Sequence, residues 1–123
     1  MARILVAEDD QAVREFILRA LRQAGHEVTA VRDGEAAVRA LAVSPFDLVV
    51  ADIVMPGIDG IGVALKVAKD HPATAVLLVT GYPTEAERAF GLEDMIQGVL
   101  RKPFELKELT AAVGQALAAR PKI

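Results

Sequence analysis

The sequence contains no cysteine and no tryptophan, and only 4% of its residues are aromatic. Without cysteine the chain can form neither a disulfide nor a thiolate metal site, which suits the reducing cytoplasm. Because aromatic side chains are scarce, a core must be filled mainly by Ala, Val, Leu and Ile. These absences exclude disulfide scaffolds and thiol chemistry, and they favour a cytoplasmic protein.

Long apolar runs and clusters of basic residues are also missing. The first apolar run, at residues 4–7, is too short for a signal-peptide core or a membrane span. The formal net charge is only -3, and no group of Lys and Arg residues is typical of a nucleic-acid-binding surface. With 123 residues, 53% of them apolar, the chain suits one soluble globular domain. We therefore expect neither a membrane nor a nucleic acid as a partner.

Apolar segments alternate with helical patterns along the whole chain. The apolar segments predict five strands, at residues 4–7, 26–31, 46–51, 75–79 and 98–100. Three-then-four apolar spacing predicts five helices, at residues 13–24, 35–43, 60–70, 84–92 and 105–119. Gly25 stands where a C-cap of the first helix is expected, and Phe16 and Leu106 are predicted to pack in the core or against other helices. Five strands, each followed by a helix, predict a doubly wound α/β fold with a parallel sheet covered by helices on both faces. We expect one domain over residues 1–119 and a frayed tail at 120–123.

Polar side chains follow four of these five strands. They are Glu8, Asp9 and Asp10 after the first strand, Asp52 after the third, Thr80 after the fourth and Lys102 after the fifth. In open α/β sheets, ligands bind outside the carboxyl ends of the strands. Several carboxylates at one edge repel each other, and a bound cation relieves that repulsion. Oxygen ligands favour a hard ion, and Mg²⁺ typically combines one or two carboxylates with phosphate oxygens and water.

Each of these residues, taken alone, has a simpler interpretation. The acidic run could begin the first helix, where Asp is a common cap. Asp52 could be a loop acid before a turn, and Thr80 could belong to an ordinary turn. Lys102 could be a solvated surface lysine. Their joint occurrence at four strand ends favours a site that acts on a phosphoryl group.

Four segments in order along the chain resemble bacterial response-regulator receiver domains. They are residues 4–10, residues 47–60, Val79-Thr80-Gly81 and Lys102-Pro103-Phe104. Within that family, the Ala-Glu-Asp-Asp opening, the Ala-Asp-Ile-Val-Met-Pro segment and the Thr-Gly-Tyr turn resemble single-domain alphaproteobacterial regulators of the CpdR type. The resemblance implies a flavodoxin-like (βα)5 fold with strand order 2-1-3-4-5.

The resemblance also implies a role for Asp52 and a set of metal ligands. Asp52 would be the nucleophile that accepts a phosphoryl group from a phosphohistidine on a histidine kinase or a phosphotransfer protein. Asp9 and Asp52 would bind Mg²⁺ directly, Glu8 would hold a coordinated water, and the backbone carbonyl of Val54 would be a third protein ligand. Asp10, one place beyond the family's acidic pair, is interpreted as a helix cap or a supporting acid.

Three further residues take their expected roles from the same resemblance. Lys102 would pair with a phosphoryl oxygen and supply fixed positive charge. The Lys102-Pro103 bond is cis in the family, and a cis proline is a plausible way to aim that lysine. Thr80 would donate its hydroxyl to the phosphoryl group and move inward when the group arrives.

The sequence departs from the common receiver pattern at Val99, where many receivers carry Phe or Tyr as a switch residue. We hypothesise that Tyr82, two residues after Thr80, gates or reports phosphorylation instead. The alternative is a partly exposed tyrosine in an ordinary turn, and Tyr82→Ala with unchanged phosphorylation-dependent partner binding would favour that alternative. An apolar Val54 predicts slow self-dephosphorylation, which the lifetime of the phosphorylated protein would test.

Three functions compete for this pattern. The first is a single-domain switch, not an enzyme beyond its own phosphorylation and dephosphorylation, with output through a partner protein. In a CpdR-like role that partner would be an ATP-dependent protease system or its adaptor. The second is a haloacid-dehalogenase-type phosphatase, although no DxD arrangement follows the first strand. The third is a receiver cut from a hybrid kinase or a longer regulator, which Met1 and the short tail disfavour.

Overall fold

The computed structural model of the protein describes residues 1–82, 89 and 91–121. Strands and helices alternate from the first strand to the fourth, and the fifth strand and the last helix follow. The strands are β1 (Arg3–Ala7), β2 (Glu27–Val31), β3 (Leu48–Asp52), β4 (Ala75–Thr80) and β5 (Gly98–Arg101). The helices are α1 (Gln11–Gln23), α2 (Gly34–Val43), α3 (Gly60–Asp70) and α4 (Leu106–Ala118). The helix predicted at 84–92 falls largely outside the described residues.

The five strands form one parallel sheet in the order β2-β1-β3-β4-β5. This order confirms the predicted doubly wound architecture. The strand order reverses beside β1 and β3, which pair with each other from Ile4–Leu48 to Ala7–Ala51. Since all strands run the same way, their carboxyl ends share one edge of the sheet.

The sheet separates two apolar layers because successive side chains of a strand point to opposite faces. Ile4 and Val6 of β1 pack in a layer with Leu21 of α1 and Leu109 of α4. Leu5 of β1 packs in the other layer, which contains residues of α2 and α3. All five residues of β3 are buried, as the nearly continuous apolar pattern of that strand predicts.

The helix boundaries follow from capping residues. Asp10, Asp33 and Asp59 each accept a backbone N–H from the first turn of α1, α2 and α3 at 2.8 to 3.1 Å. Gly25 has φ 94° directly after the end of α1, as its predicted position beyond a helix C-terminus requires. The structure thus assigns Asp10 the capping role that was one of its two interpretations.

Two apolar residues of the predicted helix-packing faces are exposed instead. Phe16 is 42% exposed and Leu106 is 48% exposed. The ring of Phe16 lies 6.1 Å from that of Phe104, centroid to centroid, and Phe104 in turn packs against the core layer of Ile4 and Val6. Within the described part of the chain, no helix has the length and apolar character that crossing a bilayer requires.

Asp47 joins both ends of the described chain at the edge of the sheet opposite the polar residues. Its Oδ2 accepts the backbone N–H of Arg3 at 2.8 Å, and its Oδ1 lies 2.6 Å from Arg120 Nη1. Arg120 opens the tail for which fraying is predicted, and that fraying stays a prediction. Residues 122 and 123 lie outside the described part.

Candidate functional site

The carboxyl edge of the sheet brings most of the predicted site residues to one cavity of about 760 Å³. Glu8 and Asp9 follow β1, Asp52 ends β3, and Lys102 follows β5. The cavity is lined by Glu8, Asp9, Asp52, Val54, Tyr82, Lys102 and Pro103, together with Asp10, Ala12, Val13, Phe16, Gly81 and Phe104. Thr80 and Val99 are not in this lining. Thr80 is 1% exposed at the end of β4, and Val99 is 41% exposed in β5.

Three carboxylates in this cavity are close enough to share one cation. Each of Glu8, Asp9 and Asp52 offers an oxygen, and these oxygens lie within 4.8 Å of one another. Glu8 is 1% exposed and Asp52 is 5% exposed, whereas Asp9 faces solvent. Two nearly buried carboxylates beside an exposed one can hold a hard divalent ion and leave one side open to a ligand.

Lys102 offsets part of this negative charge. Its Nζ lies 2.5 Å from Asp52 Oδ2 and 2.8 Å from Glu8 Oε1. Burial lowers the pKa of Lys102, but its contacts with the two carboxylates outweigh that effect and the net pKa is raised. The ammonium therefore stays charged. The Lys102-Pro103 peptide bond is cis, as the resemblance implies.

Glu8 is the less well hydrogen-bonded of the two buried carboxylates. Its Oε2 accepts the backbone N–H of Asp10 at 3.1 Å, but its buried Oε1 accepts no hydrogen bond of suitable angle and has only the ion pair with Lys102. Burial raises the pKa of Glu8, the contacts with Lys102 and Asp10 offset only part of this effect, and the net pKa rises from 4.5 to about 7. A buried oxygen without a hydrogen bond, beside two other acids, fits a place for a cation or its water.

This raised pKa predicts how the metal-free protein responds to pH. In the unfolded chain Glu8 ionises near 4.5, and in the fold it ionises near 7, so the folded state binds more protons between these values. The free energy of unfolding is therefore expected to fall as the pH rises from about 4.5 through about 7. Urea unfolding in EDTA at a series of pH values measures this dependence.

Glu8→Gln is the matched control for that series, because it keeps the size of the side chain and removes the titration. His26 contributes with the opposite sign, since burial and the positive N-terminus lower its pKa. His26 is unchanged in the variant, so the difference between the two proteins isolates Glu8. Equal slopes for wild type and Glu8→Gln would contradict the prediction.

Backbone contacts fix the orientation of Asp52. The N–H of Val54 donates to Asp52 Oδ1 at 3.1 Å, which leaves Oδ2 toward Lys102. Gly60 packs against the back of the same residue, because a Cβ at Gly60 would lie 2.3 Å from the Asp52 carbonyl oxygen. The Asp52 carboxylate is therefore held with Oδ1 on the Val54 N–H and with Oδ2 facing the cavity and the Lys102 ammonium.

The hydroxyl of Thr80 contacts the backbone of Tyr82. Thr80 Oγ1 donates to the carbonyl oxygen of Tyr82 at 2.9 Å, and the Tyr82 N–H lies 3.4 Å from Oγ1. The side chain of Tyr82 is 67% exposed. The turn after β4 therefore couples a buried hydroxyl to an exposed aromatic side chain.

Two features of the site escape the sequence analysis. Arg14 of α1 donates to the Glu8 carbonyl oxygen at 3.0 Å, so it helps to hold the backbone of the acidic turn in place. Helical spacing places Phe16 in the core, but the structure places it in the cavity wall with Phe104. The sequence holds no signal for the Arg14 contact, because any exposed arginine of an amphipathic helix has the same pattern.

A comparison with protein families matches residues 4–114 to the response regulator receiver domain. Among curated proteins, the chain is 37% identical over 119 residues to the response regulator receiver protein CpdR of Brucella abortus, covering 97% of this chain and 99% of that protein. It is 39% identical over 121 residues to the transcriptional regulatory protein TcrA of Mycobacterium tuberculosis, covering 98% of this chain but 47% of TcrA. The similarity thus extends over all of one relative and about half of the other.

Solved structures give the same result. A response regulator receiver domain protein from Clostridium thermocellum superposes with a TM-score of 0.86 at 25% identity, covering 97% of this chain and 96% of that chain. The response regulator TrrA from Thermotoga maritima, solved in complex with Mg²⁺-BeF, superposes with a TM-score of 0.84 at 31% identity, covering 94% and 99%. These likenesses cover sheet, helices and the carboxyl edge where the acids meet.

Proposed function

This chain belongs to the response regulator receiver domain family, and we propose that it works as a phosphorylation-operated switch with Asp52 as the phospho-acceptor. One observation carries the proposal most directly. Asp52 Oδ2 faces the cavity beside the Lys102 ammonium, at 2.5 Å, and beside two further carboxylates that could hold a divalent ion. A nucleophilic oxygen next to two sources of positive charge is what phosphoryl transfer requires.

In the proposed reaction, an Asp52 carboxylate oxygen attacks the phosphorus of a phosphohistidine. The new O–P bond forms as the donor's N–P bond breaks, and the imidazole nitrogen leaves with the electron pair and takes up a proton. The product is an acyl phosphate. The Val54 N–H, at 3.1 Å from Oδ1, would keep the carboxylate from rotating during the attack.

The residues of the cavity fit Mg²⁺. Asp9 and Asp52 would hold the ion directly, Glu8 through a water, and Val54 through its backbone carbonyl. The fit is supported by the buried Glu8 Oε1, which accepts no hydrogen bond of its own. When bound, the ion would neutralise charge on the phosphoryl oxygens.

Lys102 would exchange partners when the phosphoryl group arrives. Before transfer it pairs with Asp52 and Glu8. After transfer, one of the Asp52 oxygens carries the phosphoryl group in a mixed anhydride. The Lys102 ammonium would then pair with a phosphoryl oxygen instead of the Asp52 carboxylate. Pro103 lines the cavity next to Lys102 and would lie beside the phosphoryl group.

Thr80 and Tyr82 form the proposed switch. If the Thr80 hydroxyl turns to the phosphoryl group, it must give up the Tyr82 carbonyl that it contacts at 2.9 Å. Loss of that contact would alter the position of Tyr82, whose side chain is 67% exposed. Val99 has no aromatic group that could move in the same way. Val54 is 49% exposed at the cavity mouth, where an apolar side chain would hinder water and slow the loss of phosphate.

The partners follow from this chemistry. A histidine kinase or a phosphotransfer protein would supply the phosphoryl group, and a second protein in the cytoplasm would bind only one of the two phosphorylation states. Similarity over almost the full length of CpdR supports a single-domain role, with an ATP-dependent protease system or its adaptor as the output partner.

The test uses a small phosphodonor, so that no partner has to be known. The purified protein is incubated with phosphoramidate and Mg²⁺, and its intact mass is recorded with and without EDTA. We expect one added phosphoryl group that requires Mg²⁺. No added group, together with no binding of beryllofluoride, would overturn the proposal, and repeated turnover of a small phosphate ester would favour a phosphatase instead.

A further inference from the structure

The loop at residues 53–59, between β3 and α3, carries part of the proposed metal site. At its start, the Ile53 N–H donates to the Val79 carbonyl at 2.8 Å, and the Val54 N–H contacts Asp52. At its end, the Gly60 N–H donates to the Ile53 carbonyl at 3.0 Å. The two ends of the loop are therefore drawn together beside Asp52, and its middle extends toward α2.

Glu35, in the first turn of α2, contacts the middle of this loop. Its Oε1 accepts the backbone N–H of Ile58 at 3.1 Å. The carboxylate also lies directly against Gly57, where a Cβ would be 2.1 Å from Oε1, and Gly57 has φ 72°. The first residue of α2, Gly34, also packs closely against the loop, because a Cβ at Gly34 would lie 2.0 Å from the Ile58 carbonyl oxygen.

We propose that Glu35 is a positioning residue for the Mg²⁺ and phosphoryl site, which it serves by holding the 53–59 loop. The inference rests on the proposed function of Asp52. The loop supplies the Val54 N–H that orients Asp52 and the Val54 carbonyl proposed as a metal ligand. A charged acceptor such as the Glu35 carboxylate makes a stronger hydrogen bond to an amide than a neutral one does.

The effect reaches the metal through the loop backbone alone. Glu35 is not among the residues that line the cavity, so it acts on the site through Ile58 and Val54. Loss of a residue that orients metal ligands in this indirect way typically lowers metal affinity or activity 10- to 100-fold. The lower end is expected here, because Asp9 and Asp52 do not depend on Glu35 for their place in the chain.

Glu35→Ala is expected to weaken Mg²⁺ binding roughly tenfold, measured by calorimetric titration of the unphosphorylated protein. At saturating Mg²⁺, its rate of phosphoryl uptake is expected to approach that of wild type. Glu35→Gln keeps an oxygen that can accept the Ile58 N–H in a weaker, uncharged hydrogen bond, and its Mg²⁺ affinity should lie between those of wild type and Glu35→Ala. Glu15→Ala, which removes an exposed glutamate of α1, is the matched control and should change nothing.

A second variant breaks the same contact from the loop side. Gly57→Ala places a methyl group against the Glu35 carboxylate and strains a backbone with φ 72°. Gly57→Ala should lower Mg²⁺ affinity as Glu35→Ala does. In metal-free protein, amide NMR signals of Val54 and Ile58 should shift in both variants, whereas that of Leu109 should not.

Two outcomes would overturn the positioning role. One is wild-type Mg²⁺ affinity in Glu35→Ala. The other is an equal loss in Glu35→Gln and Glu35→Ala, which would show an effect of charge and not of loop position. Failure of the wild-type protein both to take up a phosphoryl group and to bind beryllofluoride would overturn the proposed function, while the Mg²⁺ titrations would still decide the role of Glu35.

Discussion

Asp52→Asn is expected to take up no phosphoryl group from phosphoramidate, at any Mg²⁺ concentration. An asparagine amide lacks the nucleophilic carboxylate oxygen, yet its own oxygen can still accept the Val54 N–H that Asp52 Oδ1 accepts at 3.1 Å. The variant should therefore fold like the wild type. Intact mass after incubation measures the loss, and the phosphoryl group on the wild-type protein should map to the peptide that contains Asp52.

The same variant should be at least as stable as wild type when no metal is bound. Asp52 is one of the groups that raise the pKa of Glu8, through its charge and a hydrogen bond, so removing its charge relieves Glu8. Asp47→Asn, at the opposite edge of the sheet, is the control, and it should leave phosphoryl uptake unchanged. Phosphoryl uptake by Asp52→Asn would assign the acceptor to another residue and remove the central claim.

Lys102→Met should lower both activity and stability. Loss of a fixed positive charge at the transferring group typically costs about 10²–10³ in rate, and we expect a fall of roughly 100-fold in phosphoryl uptake. In metal-free protein at pH 8, the free energy of unfolding should fall by about 3 kcal/mol, because Glu8 and Asp52 would lose their cation. That figure is the lower end for a broken buried pair, since the Lys102 side chain is 25% exposed.

Urea unfolding and timed mass measurements check the two effects of Lys102→Met separately. The stability loss should shrink on acidification, as protonation of Glu8, with its pKa raised to about 7, removes one of the two stranded charges. Lys107→Met, an exposed lysine of α4, serves as the control. A stable Lys102→Met protein at pH 8 would mean that the two carboxylates do not depend on this ammonium.

The sequence could predict the sheet and the gathering of the acids, because both follow from simple patterns. The apolar segments ending in Glu8, Asp52 and Thr80 correspond to strands whose parallel direction brings these ends to one edge. The boundaries differ only slightly, and Asp52 is the last residue of β3 itself. The receiver family is confirmed by the match to residues 4–114.

What could not be predicted depends on contacts that no periodicity encodes. Helical spacing assigns Phe16 to the inner face of α1, but in the structure that ring is 42% exposed and packs beside Phe104. The Glu35–Ile58 hydrogen bond spans 23 residues, and the Thr80–Tyr82 contact depends on the backbone path of one turn. Such contacts require the tertiary structure.

Asp47 has a consequence for how this domain can be connected to others. Because one carboxylate binds the backbone of Arg3 and the side chain of Arg120, the entry and the exit of the fold are neighbours. Both lie at the sheet edge opposite Asp52, so a fused domain, an affinity tag or a surface tether at either point would leave the cavity at Asp52 open. The same proximity makes a circular permutant feasible, with a short peptide joining the two points.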